Sequence, residues 1–120
     1  MKTLSLIVLV LSFTFTTPTM AADKDGFYAS YDDYSCGDWV KYRANGGIKE
    51  ITGKWWIVGY LTAYNKETSD VYNILGSTDL ESVYLWMDKY CQENPLKGLS
   101  YGMDILTNEL WPNRKRTADN

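Results

Sequence analysis

Two cysteines, Cys36 and Cys91, are the residues whose chemistry is most readily inferred from this sequence. In an exported chain a cysteine pair ordinarily forms a disulfide, because oxidising compartments do not keep thiols reduced. A Cys36–Cys91 bond would close a loop of about 56 residues, for which the chain-entropy estimate is about 4 kcal/mol of stabilisation. The sequence therefore predicts one disulfide with a structural role.

Export is indicated by the start of the chain, which has the pattern of a secretory signal peptide over residues 1–22. Lys2 supplies a positive charge, residues 4–15 form an apolar run, and cleavage is expected after Ala21 or Ala22. The apolar run is too short to span a bilayer. We expect the remainder, residues 23–120, to form a single periplasmic domain without stable membrane insertion.

Composition excludes several kinds of chemistry. The sequence has no histidine, so a Ser-His-Asp or Cys-His catalytic set cannot form within it, and a zinc site lacks its usual ligands. The formal net charge is −3, whereas nucleic-acid binding requires a basic face. The basic cluster Arg114-Lys115-Arg116 is interpreted as a solvated end within a polar tail, residues 113–120. We expect no metal, no cofactor and no nucleic-acid partner.

Neighbouring carboxylates provide the enzymatic alternative. Asp32, Asp33 and Asp38 lie close together in the sequence, and a pair of carboxyl groups is the catalytic set of most glycosidases. Adjacent aspartates far more often cap a helix or face solvent in a turn. No acid–base set accompanies these three, so we predict that the protein is not an enzyme.

Hydrophobic periodicity predicts an all-α domain with four helices. They are expected at about residues 35–45, 53–67, 78–94 and 95–111. Ser35 is expected to cap the first helix, and Thr78 with Glu81 has the pattern of a capping box for the third. Asn94 and Pro95 are expected to begin the fourth helix, whose apolar residues recur with helical spacing at Leu96, Leu99, Met103, Leu106 and Leu110.

The second helix is apolar over much of its circumference, which is typical of a central element. Thr52 is its expected cap, and Gly59 is expected to allow another backbone to approach closely. A strand is the alternative, because residues 55–61 are rich in β-forming side chains. We favour the helix. The polar connection of residues 65–77 is expected to place some of its apolar side chains against the core.

Four motifs are similar to those of a known family. Cys36-Gly37-Asp38-Trp39 opens the first helix, Trp55-Trp56 lies in the second, Asp79-Leu80 opens the third, and residues 90–99 contain Tyr-Cys, Asn-Pro and a following Leu. Together with the cysteine spacing, they resemble the HdeA/HdeB family of small periplasmic acid-stress chaperones, most closely its HdeB branch. The resemblance implies a helical fold with one disulfide, dimers near neutral pH, and acid-triggered exposure of apolar surface that holds unfolding client proteins.

The sequence offers candidates for that apolar surface. It contains five Trp, ten Tyr and three Phe. Most of these rings are expected to fill the core, and the rest to form a binding surface. The candidate protein-binding residues are Trp55, Trp56, Ile57 and Leu61.

A second resemblance suggests an alternative function. The pattern Gly59-Tyr60-Leu61-x-Ala63 is similar to the Rap1a/Tai immunity proteins, which neutralise secreted effector enzymes. The alternative function is a periplasmic immunity or inhibitor protein with one effector as its partner.

From the first resemblance, we expect stress-linked protein binding without catalysis, by an HdeA/HdeB-like holdase that is activated by acid.

Overall fold

A computed structural model describes residues 22–119, and the predicted signal peptide lies outside them except for Ala22. This part of the chain forms four α-helices followed by a 3₁₀ turn, which confirms the predicted all-α four-helix fold. The helices are α1 (Cys36–Asn45), α2 (Ile48–Glu67), α3 (Leu80–Glu93) and α4 (Leu99–Leu110), and the turn is Trp111–Asn113. Extended pairing within the described residues is limited to two isolated bridges, Ser35 with Gly98 and Asn73 with Lys115.

The first two helices follow each other almost without a loop. Ser35 caps α1 as predicted, because its hydroxyl accepts a hydrogen bond from the Asp38 amide at 3.1 Å. Helix α2 begins at Ile48, directly after Gly47, and not at Gly53. The prediction that Thr52 caps it is therefore wrong. Thr52 lies within the helix, where its hydroxyl donates to the Lys49 carbonyl.

The predicted beginnings of the other two helices also require correction. Asp79, not Thr78, caps α3, because its carboxylate accepts from the Ser82 amide at 2.8 Å. Helix α4 begins at Leu99 instead of residue 95. Residues 94–97 form a turn, and Gly98 is extended. The backbone on either side of Gly98 pairs with the segment before α1: the Cys36 amide donates to the Lys97 carbonyl at 2.8 Å, and the Leu99 amide to the Tyr34 carbonyl at 3.0 Å.

The core draws on all four helices and on the connection between α2 and α3. Its most deeply buried members include Trp39, Ile57, Ile74, Val83, Met87, Leu99, Met103 and Leu106. Val71 and Ile74 come from the α2–α3 connection, as expected from the sequence. The predicted disulfide is confirmed: Cys36 and Cys91 are bonded with their Cα atoms 4.7 Å apart, and both are almost completely buried. The bond joins the start of α1 to the end of α3.

Close packing through a glycine occurs in α4 and not where it was predicted. A Cβ atom on Gly102 would lie 2.8 Å from the Met87 side chain and 2.9 Å from the Tyr90 ring. The absence of a side chain at Gly102 thus lets α4 pack against α3. Gly59 is exposed, and a Cβ there would meet nothing within 4 Å, so the prediction of a close approach at Gly59 is wrong.

The basic cluster near the C-terminus is not wholly solvated. The Arg114 side chain is only 6% exposed, and its Nη2 lies 2.6 Å from Asp70 Oδ2. Its Nε donates to the Asp70 carbonyl, and its guanidinium lies 3.9 Å from the centre of the Trp111 ring. Arg116 is 61% exposed. Arg114 therefore fixes the start of the tail to the α2–α3 connection.

Candidate functional site

An apolar surface lies exposed on α2, and we call it the Trp55 face. It consists of Ile48, Ile51 and Trp55 with Leu80 from the start of α3. The first three recur at helical spacing on one side of α2, while Ile57 and Leu61 of the same helix belong to the core. Trp55 is 67% exposed. Because tryptophan is among the commonest anchors of protein interfaces, this face is suited to binding another polypeptide.

Two grooves border Trp55. One, of about 460 Å³, lies between α2 and the segment before α1. Its lining residues are Asp32, Tyr34, Lys49, Thr52, Trp55 and Trp56. The hydroxyl oxygens of Tyr34 and Thr52 lie 2.6 Å apart, which joins the two sides of the groove. A ligand there would meet indole rings together with a carboxylate and an ammonium group.

The second groove, of about 320 Å³, lies on the other side of Trp55, between α2 and α3. Its lining residues are Ile51, Lys54, Trp55, Val58, Leu80, Glu81 and Tyr84. The Lys54 ammonium lies 5.0 Å from the centre of the Tyr84 ring. This groove is largely apolar with charges at its margin, an arrangement shared with the centre of many protein interfaces.

The four residues predicted as a binding surface do not share one face. Trp55 is exposed, whereas Ile57 and Leu61 are 0% and 4% exposed. Trp56 is half-buried, and its indole N–H donates to the Tyr31 carbonyl at 2.7 Å. Adjacent helical residues do not face the same way. The spacing of Ile48, Ile51 and Trp55 is the sequence signal that marks the exposed face.

Carboxylates form most of the side-chain links between separate parts of the fold, and we call these contacts the carboxylate links. Asp88 of α3 accepts from Arg43 and from the Trp39 indole of α1. Asp33, which precedes α1, accepts from both the amide, at 3.0 Å, and the hydroxyl of Ser100 in α4. The contact with the Ser100 amide supplies a side-chain cap for α4, which Gly98, at the start of that helix, cannot provide.

Asp104 of α4 forms a further carboxylate link. It accepts from the Tyr60 hydroxyl of α2 at 2.6 Å and from the Tyr28 hydroxyl at 3.3 Å. Burial and the contact with Asp104 raise the pKa of Tyr60, so this phenol keeps its proton and remains a donor.

Glu50, Asp70 and Glu109 complete the carboxylate links. Glu50 joins α2 to Arg43, Asp70 joins the α2–α3 connection to Arg114, and Glu109 joins α4 to the Trp86 indole. Within residues 22–119, the pair of Tyr34 and Thr52 makes the single hydrogen bond between side chains of different segments that does not end on a carboxylate.

The sequence left an enzymatic alternative at Asp32, Asp33 and Asp38. Asp33 is engaged with Ser100, Asp38 is exposed in the first turn of α1, and Asp32 lines the larger groove. Across residues 22–119 there is no group of three side chains placed to hold a metal ion. None of the helices described is both long and apolar enough to cross a membrane.

Comparison with known proteins does not assign this site. No model of a known family, no curated protein and no solved structure matches the chain.

Proposed function

We propose that this protein is an acid-activated holdase of the periplasm, HdeA/HdeB-like in its action, which binds unfolding client proteins without catalysis. The observation that carries this proposal is the set of carboxylate links. Within the described chain, nearly all the hydrogen bonds that join a side chain of one segment to a side chain of another end on a carboxylate, and that group loses its charge in acid.

Acidification weakens these links together. Free Asp and Glu have pKa values near 4, and a hydrogen bond to an ionised carboxylate is about twice as strong as one between neutral groups. Below about pH 3 most of the 15 carboxylates become neutral, while Lys and Arg stay charged. The chain then carries a large positive charge whose self-repulsion favours opening.

The disulfide limits how far the chain opens. Protonation does not affect the Cys36–Cys91 bond, which keeps the start of α1 beside the end of α3. Helix α2 has no such covalent connection, and it carries Trp56, Ile57 and Leu61. Separation of α2 would expose these residues to an apolar client, and restored ionisation at neutral pH would favour their return to the core.

The test is suppression of client aggregation, followed by light scattering at about pH 2.5 and at neutral pH. The mature protein should suppress aggregation in acid only. A variant that combines Asp33→Asn, Asp88→Asn and Asp104→Asn should begin to suppress aggregation at a pH closer to neutral, because asparagine has no charge to lose. A control with the same change in charge combines substitutions at three exposed aspartates, Asp25→Asn, Asp38→Asn and Asp119→Asn, and should behave as the wild type. Client aggregation that continues unchanged in acid, at several-fold molar excess of the protein, would refute the proposal.

A second candidate function is favoured by the Trp55 face, which is already exposed in the folded protein. It fits a periplasmic immunity or inhibitor protein that binds one effector at neutral pH. Affinity capture from a periplasmic extract should then give one stoichiometric partner. Trp55→Ala should abolish capture, while Leu85→Ala should not, because Leu85 is 64% exposed but lines neither groove. Association with many proteins in acid alone would favour the holdase instead.

The resemblance to the chaperones also implies self-association. We propose that the protein forms a homodimer near neutral pH and dissociates in acid. Light scattering coupled to size-exclusion chromatography at both pH values tests this directly.

A further inference from the structure

We infer that a row of aromatic rings on α2 is the first surface to receive a client, and that residues 27–33, here called the N-terminal segment, are its acid-released cover. This inference rests on the proposed holdase function, which it deepens by assigning the client surface and its control. The row consists of Trp56, Tyr60 and Tyr64, and we call it the aromatic row.

The aromatic row follows one side of α2 at intervals of four residues. Trp56 and Tyr60 have their ring centres 5.8 Å apart, and Tyr60 and Tyr64 have theirs 6.4 Å apart. All three rings are half-buried and pack against the core. The row is thus a continuous apolar strip, distinct from Trp55, which points away from the core on the same helix.

The N-terminal segment contacts the aromatic row at two points. The Tyr31 carbonyl accepts the Trp56 indole N–H at 2.7 Å. The Tyr28 hydroxyl donates to Asp104 Oδ1, the same oxygen that accepts the Tyr60 hydroxyl. The segment therefore occupies the indole N–H of Trp56, which a bound polypeptide would otherwise use, and its Tyr28 shares with Tyr60 one oxygen of Asp104.

Two carboxylates hold the N-terminal segment in place. Asp104 holds it near its start through Tyr28, and Asp33 holds it near its end through the amide and hydroxyl of Ser100. Apolar burial adds little to this attachment, because Phe27 and Tyr31 are 73% and 83% exposed, whereas Tyr34, the next residue after the segment, packs against the core and stays in place. A segment held by few buried contacts opens more readily than a packed helix.

The charges around these two carboxylates differ from those at Asp88. Asp104 is faced by the phenols of Tyr28 and Tyr60, with Tyr90 also nearby. Asp33 is faced by the amide and hydroxyl of Ser100, with the phenol of Tyr28 also nearby.

No Lys or Arg pairs with Asp33 or Asp104 within the described chain, whereas Asp88 is paired with the guanidinium of Arg43. A two-pronged contact with arginine is stronger than a contact with neutral donors. As the pH falls, the N-terminal segment should therefore leave while α1 and α3 are still joined.

The surface so uncovered fits an extended, apolar stretch of unfolded chain. Such a stretch supplies a backbone carbonyl for the Trp56 indole N–H, as the N-terminal segment does, and its apolar side chains can pack on the rings of Tyr60 and Tyr64. Client and segment are then alternative occupants of one surface, so the segment prevents client binding at neutral pH.

Indole N–H signals in nuclear magnetic resonance spectra of the mature chain test this order of events. The Trp56 indole reports the N-terminal segment, and the Trp39 indole, which donates to Asp88 at 2.8 Å, reports the junction of α1 and α3. During acid titration the Trp56 signal should change at a higher pH than the Trp39 signal. Simultaneous change of the two signals would overturn the inference.

A variant separates this inference from the proposed function. In the full mature chain, Asp33→Asn with Asp104→Asn should place the Trp56 signal in its released position at neutral pH and leave the Trp39 signal unchanged. The same variant should suppress client aggregation at a higher pH than the wild type, and a control with Asp25→Asn and Asp38→Asn should not.

If the Asp33/Asp104 variant and the wild type suppress aggregation in acid with the same onset pH, the assignment of the client surface is overturned, while the holdase function is supported. Absence of suppression by either protein at any pH would refute the holdase function itself, even where the Trp56 signal confirms release of the segment.

Discussion

The guanidinium of Arg43 and the carboxylate of Asp88 form a two-pronged ion pair between α1 and α3. Nε lies 2.9 Å from Oδ1, and Nη2 lies 2.8 Å from Oδ2. The remaining guanidinium nitrogen donates to Glu50 of α2 at 2.7 Å, and the hydrogen bonds raise the pKa of Arg43. The two side chains of the pair are 21% and 24% exposed, so they are partly shielded from solvent. Three helices thus meet at one group of charges.

Asp88→Asn should lower the free energy of unfolding at neutral pH by about 1–2 kcal/mol, since it removes charge-assisted hydrogen bonds at a partly exposed site. Urea unfolding, followed by helical circular dichroism, measures the change. Arg43→Lys should also destabilise the protein, because lysine keeps the charge but cannot contact both carboxylate oxygens in the same planar arrangement. A wild-type stability for both variants would contradict a structural role for the pair.

Glu50 should contribute to stability in a pH-dependent way. Hydrogen bonds from Lys54 and Arg43 hold the pKa of Glu50 below its ordinary value. A carboxylate with a lower pKa in the folded state stabilises the fold above its unfolded pKa, and this contribution disappears as the pH falls through the folded pKa. Glu50→Gln should therefore be less stable than the wild type at neutral pH and equally stable in strong acid. Thermal unfolding over this range measures the difference, and a difference independent of pH would contradict the prediction.

Two glycines should respond oppositely to a methyl group. Gly102→Ala should destabilise the protein by about 1–2 kcal/mol, because its Cβ would overlap Met87 and the Tyr90 ring and overpacking outweighs the gain in helix propensity. Gly59→Ala should stabilise it by about 0.5–1 kcal/mol, because the site is exposed and open and alanine favours the helix. Urea unfolding of both variants gives the two signs, and equal signs would contradict the packing described for α3 and α4.

The cap of α3 should be Asp79 and not its neighbour. The hydrogen bond from the Ser82 amide lowers the pKa of Asp79, so its stabilising effect is present above the unfolded pKa and is lost as the pH falls through the folded one. Asp79→Ala should lower the midpoint of thermal unfolding at neutral pH, and Asp79→Asn should change it little, because asparagine also caps helices. Thr78→Ala is the matched control and should leave the midpoint near the wild-type value. A larger loss at Thr78 than at Asp79 would restore the capping box inferred from the sequence.

Periodicity predicted the buried faces better than the helix ends. Leu99, Met103 and Leu106 were placed on one face of a helix by their spacing, and all three are buried. The start of the same helix was misplaced because Lys97 and Leu99 pair with backbone groups on either side of Ser35. Such pairing joins residues that are far apart in the chain, so the periodicity of neighbouring residues cannot predict it.

The residues of the candidate site were also beyond what a local sequence pattern can predict. Helix α2 is apolar on several sides, so composition alone did not separate the exposed Trp55 from the buried Ile57. The carboxylate links could not be predicted, because their partners are distant in the chain: Asp33 and Ser100, for example, are separated by 67 positions. The sequence predicts that Asp33 belongs to a turn or a helix cap, and in the structure it caps α4, which is distant in the chain.

Arg114 and Arg116 provide the last prediction, because they carry the same charge in the same short tail with very different surroundings. Arg114 is 6% exposed and binds Asp70, while Arg116 is 61% exposed. Arg114→Ala should lower the free energy of unfolding by about 1–3 kcal/mol, through lost hydrogen bonds to a charged group and lost packing on Trp111. Arg116→Ala should cost much less, since an exposed ion pair contributes little. Limited proteolysis should cut the tail faster in the Arg114 variant alone, because the bridge between Asn73 and Lys115 depends on the position that Arg114 maintains. Equal protection of the tail in both variants would show that Arg114 does not hold it.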